Sequence, residues 1–336
     1  MNPRTSILKH PLGIEISTPL LIPSYSSKGF AMHDGKSELC NIMIFTKEFI
    51  YETQLLSAYD IYYRHMLDTM ELNPTQLTII DSGGYETSNN FDLSETRKYD
   101  RSKKDWSKEL FNEVLDNWTE LYPAIVVSYD AVELKIPIKE QVKNALNFFN
   151  SKTQFLTDFL IKPIEIESNF IDINEVLKNT TSFVDFNIIG VTEKELGDSY
   201  FTRMKNIYLL RNELDKNNIS SPIHVFGALD PLSVILYFIM GAEIFDGLSW
   251  LKYDYYNCCA SYVNNSSILK NIENVYLTDN EIRMQTIKDN IYQLETLKNI
   301  LIDFSQSKDY SIFDKFVGNG FGNMINEIIQ NTIKKI

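Results

Sequence analysis

Cysteine and histidine are scarce in this chain, with three and four among 336 residues. Cys40, Cys258 and Cys259 are too few for a disulfide framework, and adjacent side chains such as Cys258 and Cys259 diverge, so reduced thiols are expected. His10, His33, His65 and His224 show no metal-ligand spacing, and His224 reads as a packed or hydrogen-bonded residue rather than a catalyst. Long apolar runs are missing as well. No stretch of about 18 uncharged apolar residues is available to span a bilayer. Residues 1–11 carry basic side chains with no apolar run behind them, so neither a signal peptide nor a membrane partner is expected and the cytoplasm is the expected compartment.

Positive charge is in deficit. Lys and Arg number 32 against 45 Asp and Glu, a formal net charge of −13, which argues against a protein that coats nucleic acid nonspecifically. The nearest thing to a local basic patch is Arg97, Lys98, Arg101, Lys103 and Lys104, in a Ser/Asn-rich segment that reads as a long loop. These five are the candidate nucleic-acid contacts, set against the plainer reading of a solvated loop. Glycine-rich phosphate cradles are also absent: neither Gly-x-Gly-x-x-Gly nor Gly-x-x-x-x-Gly-Lys-Ser/Thr follows an early strand.

The hydrophobic content of 44% is enough for a sizeable core. Apolar runs rich in Val, Ile and Phe predict eight strands, at residues 19–25, 41–46, 77–81, 124–130, 160–167, 185–191, 222–227 and 243–248. Helical periodicity fills residues 51–72, 106–121, 138–159, 199–214 and 231–240, the last with Asp230 as N-cap and Pro231 in its first turn. Near-continuous apolar strands alternating with amphipathic helices indicate a parallel sheet covered by helices, and a count of eight favours closure. The expected fold is α/β, a single (β/α)8 barrel. A helical extension follows over residues 264–336, in which residues 291–304 are apolar at helix spacing and suited to be the last outer helix.

Such a barrel carries its active site at the C-terminal ends of its strands. There the sequence sets a series of carboxylates: Asp81, Asp130, Glu165 and Glu167, Glu193, and Asp246. One of these alone is most simply a turn former or helix cap; several in register point to a shared pocket. Around Asp81 the sequence reads Asp81-Ser82-Gly83-Gly84-Tyr85, paired glycines that admit close approach of a ligand followed by an aromatic that can stack on it. The seventh run contains Phe226-Gly227-Ala228, and the eighth Phe245-Asp246-Gly247-Leu248-Ser249-Trp250.

Taken together and in order, from about residue 18 to residue 250, these segments resemble the tRNA-guanine transglycosylase superfamily. The wording around Asp246 is most similar to the branch that inserts 7-deazaguanines into DNA. The resemblance implies that Asp246 is the nucleophile on the ribose anomeric carbon and Asp81 the general acid/base. It implies that Tyr85 and Phe226 sandwich the purine, that Asp130 binds its amidine edge, and that Ser82, Gly83, Gly84, Gly190 and Gly227 line the base site. The chemistry agrees: exchange of bases with retained configuration needs two displacements, hence a carboxylate that holds the sugar covalently and a second group that handles the purine proton.

The expected partners are nucleic acid, DNA favoured over tRNA, and a 7-deazaguanine base of the preQ type, with no cofactor. Departures from the superfamily are equally definite. Its zinc-binding cysteine cluster is missing, only Cys258 and Cys259 following the last strand, so no structural zinc and no zinc subdomain are expected. Ile161-Lys162-Pro163-Ile164-Glu165 lacks the Gly- and Gln-containing pattern that reads the purine carbonyl, and the arginine-rich segment after the nucleophile is absent, which leaves the phosphate grip to another surface or to a partner protein. The alternatives are an enzyme of tRNA, a non-catalytic subunit of this superfamily, and an unrelated barrel lyase or hydrolase holding magnesium on its carboxylates. Tyr253, Tyr255 and Tyr256 are read as packing residues before stacking platforms.

Overall fold

The structure is a computed structural model. It describes residues 3–30, 32–33, 36–67, 75–88, 104–119, 122–130, 135–165 and 168–336. Eight parallel strands close into a barrel: β1 (Leu20–Tyr25), β2 (Thr53–Ser57), β3 (Leu77–Asp81), β4 (Ala124–Val127), β5 (Leu156–Ile161), β6 (Ile188–Thr192), β7 (Ile223–Phe226) and β8 (Ile244–Gly247). Closure runs through the β8–β1 pairing, in which Asp246 stands opposite Ile22, and every neighbouring pair is parallel.

Alternation along each strand sorts the core into two parts. Leu20, Ile22, Leu55, Leu77, Ile79, Ile125, Val127, Leu156, Leu160, Ile188 and Ile244 fill the inside of the barrel. Intervening residues such as Leu21, Ile80, Val126, Phe159, Val191, Val225 and Phe245 point outward into the larger cluster under the helices. A hairpin of Ile7–Lys9 and Glu15–Ser17 closes the N-terminal end, pressing Leu8 and Ile16 into the inner cluster. The C-terminal residues are mostly helical, led by the 29-residue helix Asp279–Ser307, whose start is fixed by a capping box between Thr278 and Glu281. That helix packs on β1 and on the Pro231–Ile239 helix, so residues 291–304 do cover the barrel. Among the described residues no helix is long and apolar enough to cross a membrane.

Two strand expectations are corrected. Residues 41–46 belong to a helix, Leu39–Thr46, because Leu39, Ile42, Met43 and Thr46 recur at helical spacing and bury one face. The second barrel strand is instead Thr53–Ser57, expected to be helical; buried at all five positions, it shows none of the alternation that marks a half-exposed strand. The expected fifth strand, 160–167, is displaced as well. The preceding helix stops at Phe149, not 159, and the strand ends at Ile161, before Pro163, which has no N–H for a ladder.

Candidate active site

The C-terminal mouth of the barrel gathers Asp81, Asp130 and Asp246. Asp246, third residue of β8, faces inward and is nearly buried. Its Oδ2 accepts a hydrogen bond from Ser24 Oγ at 2.7 Å, and its Oδ1 accepts one from the Gly227 N–H at 3.1 Å. Ser24 lies on the adjacent β1, held from behind by Trp250, whose Nε1–H donates to the Ser24 carbonyl at 3.1 Å. Gly227 has φ +80°, a left-handed conformation that lets the chain turn out of β7 with its N–H aimed at Asp246. A Cβ at Gly227 would meet nothing within 4 Å, so this backbone borders open space.

Asp81 ends β3, with β1 and β2 between it and β8. Its Oδ2 accepts from the Gly83 N–H at 3.2 Å. Burial, with further repulsion from the carboxylates of Asp246 and Asp130, outweighs the Gly83 and Ser82 N–H groups and pushes its pKa up to about 6. The three carboxylates are thus near enough to act on one another. Asp130 follows β4 and packs against the glycine pair, since a Cβ at Gly84 would lie 3.1 Å from Asp130 Oδ2.

Asp130 is not a lone acceptor. Lys162 Nζ stands 3.1 Å from its Oδ2 and 2.7 Å from Glu195 Oε1. Burial works against the Lys162 ammonium, but the two carboxylates outweigh it and raise its pKa. Lys162, noted in the sequence only as a departure, therefore belongs to the site. A cavity of about 300 Å³ opens beside this pair, walled by Tyr129, Ile136, Phe148 and Leu160. It is bordered by neither Asp81 nor Asp246, so it flanks the two carboxylates rather than enclosing them.

Tyr85 is half-buried in the short helix Gly84–Thr87, with Lys28 Nζ 4.4 Å from its ring centroid. Phe226 ends β7 nearly buried; its ring centroid is 3.8 Å from that of His224. Ser82 Oγ is buried without a hydrogen-bond partner, and the Ser82 carbonyl accepts from Trp106 Nε1 at 2.8 Å. Gly190 makes room for side chains: a Cβ there would come within 2.7 Å of both Asp158 Oδ1 and Phe226 Cε2.

His224 and Asp158 are site residues the sequence did not reveal. His224 Nδ1 lies 2.7 Å from Asp158 Oδ2, and its Nε2 lies 3.2 Å from Asp246 Oδ1, within ion-pair distance but off the hydrogen-bond direction. Residue 158 fell inside an expected helix; the alternation Leu156, Asp158, Leu160 in a strand is the signal that would have exposed it.

The other expected carboxylates are engaged elsewhere or lie off the strands. Glu193 accepts from Tyr237 Oη at 2.8 Å and pairs with Arg203, and Glu165 falls beyond β5 rather than within it. Glu167 lies outside the described residues, as do Arg97, Lys98, Arg101 and Lys103. Lys104 is described: its Nζ stands 3.1 Å from His65 Nε2 and 4.5 Å from the Tyr63 ring centroid. Tyr255 is fully buried, with its hydroxyl donating to the Leu229 carbonyl at 2.8 Å, a packing role. Among the described residues no group of three or more His, Cys, Asp or Glu side chains is arranged to hold a metal ion. No protein-family model matches the chain, and no curated protein matches it by sequence.

Proposed function

We propose that this protein is a base-exchanging N-glycosyltransferase that replaces guanine in nucleic acid, DNA in preference to tRNA, with a 7-deazaguanine. The reading rests on the different settings of two carboxyl groups at one barrel mouth. Asp246 is held as an acceptor by Ser24 and Gly227, whereas Asp81 is raised to about 6, where it can both give and take a proton near neutrality.

In the first half-reaction an Asp246 oxygen attacks the anomeric carbon. The carbon–N9 bond breaks, its electron pair stays on the purine, and Asp81 delivers the proton to the departing base. In the second half, Asp81 takes the N9 proton of the incoming base, N9 forms the new bond, and the Asp246 ester is released as a carboxylate. Two inversions give net retention. Asp130 and Lys162 offer an acceptor and a donor side by side, suited to the amidine and carbonyl of a guanine-like edge. A base in a duplex must leave the stack to reach such a mouth, so single-stranded or flipped substrate is required.

Incubation with labelled guanine or 7-deazaguanine and either DNA or tRNA tests the reaction directly. Withholding the incoming base should trap a nucleic acid–protein adduct that survives denaturation, and Asp246→Asn should abolish both adduct and exchange while the protein stays folded. Undiminished exchange in Asp246→Asn refutes the assignment of nucleophile. Failure of the wild type on every substrate, alone or with partner proteins, leaves the non-catalytic subunit as the better reading.

A further inference from the structure

Inside the barrel, the sector from β5 to β8 breaks the apolar pattern. Leu156, Leu160, Ile188, Phe226 and Ile244 line it, and among them sit Asp158 and His224, neither with any exposed surface. Taking a charged pair out of water costs more than filling the same space with apolar side chains, and Asp158 Oδ1 is left with no hydrogen-bond partner at all. The pair is therefore a poor device for stabilising the barrel. Its setting is nevertheless well defined: Gly190 on β6 leaves the room that Asp158 Oδ1 occupies, and the Phe226 ring lies against the imidazole.

The groups facing the ring fix its state. From β5 comes Asp158, from β8 Asp246, from β6 only the glycine, and from β7 the Phe226 ring. Nδ1 thus hydrogen-bonds to the Asp158 carboxylate and Nε2 lies at ion-pair distance from Asp246, two acceptor-only neighbours that favour a proton on both nitrogens. Burial opposes that charge, but Asp158 and Asp246 outweigh it and push the His224 pKa up to about 9.

We propose that Asp158 and His224 are positioning residues that orient Asp246 from beneath and supply the fixed positive charge against which it is released as a leaving group. This role rests on the transglycosylase reading. No proton passes through His224; the ring stays charged while Asp246 alternates between carboxylate and glycosyl ester. A fixed cation favours the carboxylate over the neutral ester, so it speeds breakdown of the ester and opposes its formation.

Two measurements test this. The first needs no substrate: ¹⁵N-histidine NMR from pH 5 to 10, with the His224 signals identified by their loss in His224→Gln. Imidazolium at pH 7 is expected, with a midpoint that falls by at least one pH unit in Asp246→Asn. A neutral ring at pH 7, or a midpoint that Asp246→Asn leaves in place, overturns the proposal whatever the protein does to nucleic acid. The second uses single-turnover exchange. In Asp158→Asn and His224→Gln the adduct should accumulate, its breakdown slowed on the order of 10²-fold, with base binding unchanged. Loss of thermal stability with an unaltered breakdown rate would show a purely structural role and overturn the proposal. Imidazolium together with no exchange on any substrate would refute the transglycosylase reading, and the positioning role of the pair with it.

Discussion

Asp81→Asn should separate the chemical cost of the site from its chemical use. The folded protein holds the Asp81 carboxyl at about 6 rather than its ordinary 3.8, mainly by burial, with Asp246 and Asp130 adding repulsion. A carboxyl whose pKa rises on folding destabilises the folded state wherever it must ionise. The penalty is absent below about pH 4, grows between 4 and 6, and is constant above, reaching at most about 3 kcal/mol. Urea denaturation of Asp81→Asn should therefore show a gain over wild type at pH 8 that vanishes at pH 4. In the proposed exchange, the same group should shape the two half-reactions in opposite senses. Adduct formation needs the acid and should fall about tenfold per pH unit above 6, about a hundredfold by pH 8; adduct breakdown needs the base and should rise with pH to a plateau above 6. Rapid-quench measurement of each half-reaction from pH 5 to 8 gives both slopes, and Asp81→Asn should flatten both. Equal slopes in wild type and variant, or a stability difference independent of pH, would refute the role given to Asp81.

Other consequences are more local. Gly190→Ala puts a methyl group 2.7 Å from both Asp158 Oδ1 and Phe226 Cε2, so thermal or urea melts should show a loss of about 1–3 kcal/mol, and His224 should titrate lower as Asp158 is displaced. Reversing the charges of Arg97, Lys98, Arg101, Lys103 and Lys104 should weaken binding to single-stranded DNA and reduce its salt dependence. Fluorescence anisotropy at two ionic strengths measures both effects, and unchanged affinity would mark the segment as a solvated connection.

The barrel was legible because seven of its eight strands contain apolar runs set between helices, although the fifth begins earlier in the chain than expected, within a stretch that reads as helix. The exception, Thr53–Ser57, carries Thr53, Gln54 and Ser57 among its five buried positions, and polar residues that are buried in pairs, as Gln54 is against Thr78, give no apolar pattern to read. Asp81, Asp130 and Asp246 were legible because each follows or interrupts an apolar run, the place where barrel chemistry collects. What escaped was whatever depends on register across strands. Asp158 and His224 are 66 residues apart and meet because β5 and β7 both flank β6, with Gly190 facing His224 and Ile188 facing Asp158. Nothing in either local sequence announces the other. Lys162 was visible only as a residue out of pattern, and its pairing with Asp130 and Glu195 appears once β4, β5 and the turn after β6 are side by side.

The same mouth contains a further carboxyl group that constrains how the first three behave. Glu86, one turn beyond the glycine pair, is nearly buried, with its two oxygens accepting from Ser26 and Ser57. Burial, together with the Asp60 and Asp81 carboxylates, pushes its pKa up to about 8, so it carries a proton through the neutral range. Asp60 next to it is supplied with its own donors, the Ser27 N–H at 2.7 Å and His65 Nδ1 at 3.1 Å. The repulsion between Glu86 and Asp81 is mutual, so an ionised Glu86 would drive Asp81 above 6 and leave it a weaker acid for the proposed proton transfer. A protonated Glu86 spares it that charge. Keeping the Asp81 pKa near 6 thus depends on a balance spread over β1, β2 and the Gly83-Gly84 turn: Glu86 neutral, Asp60 hydrogen-bonded by Ser27, and Asp246 facing the His224 ring on the far side of the barrel.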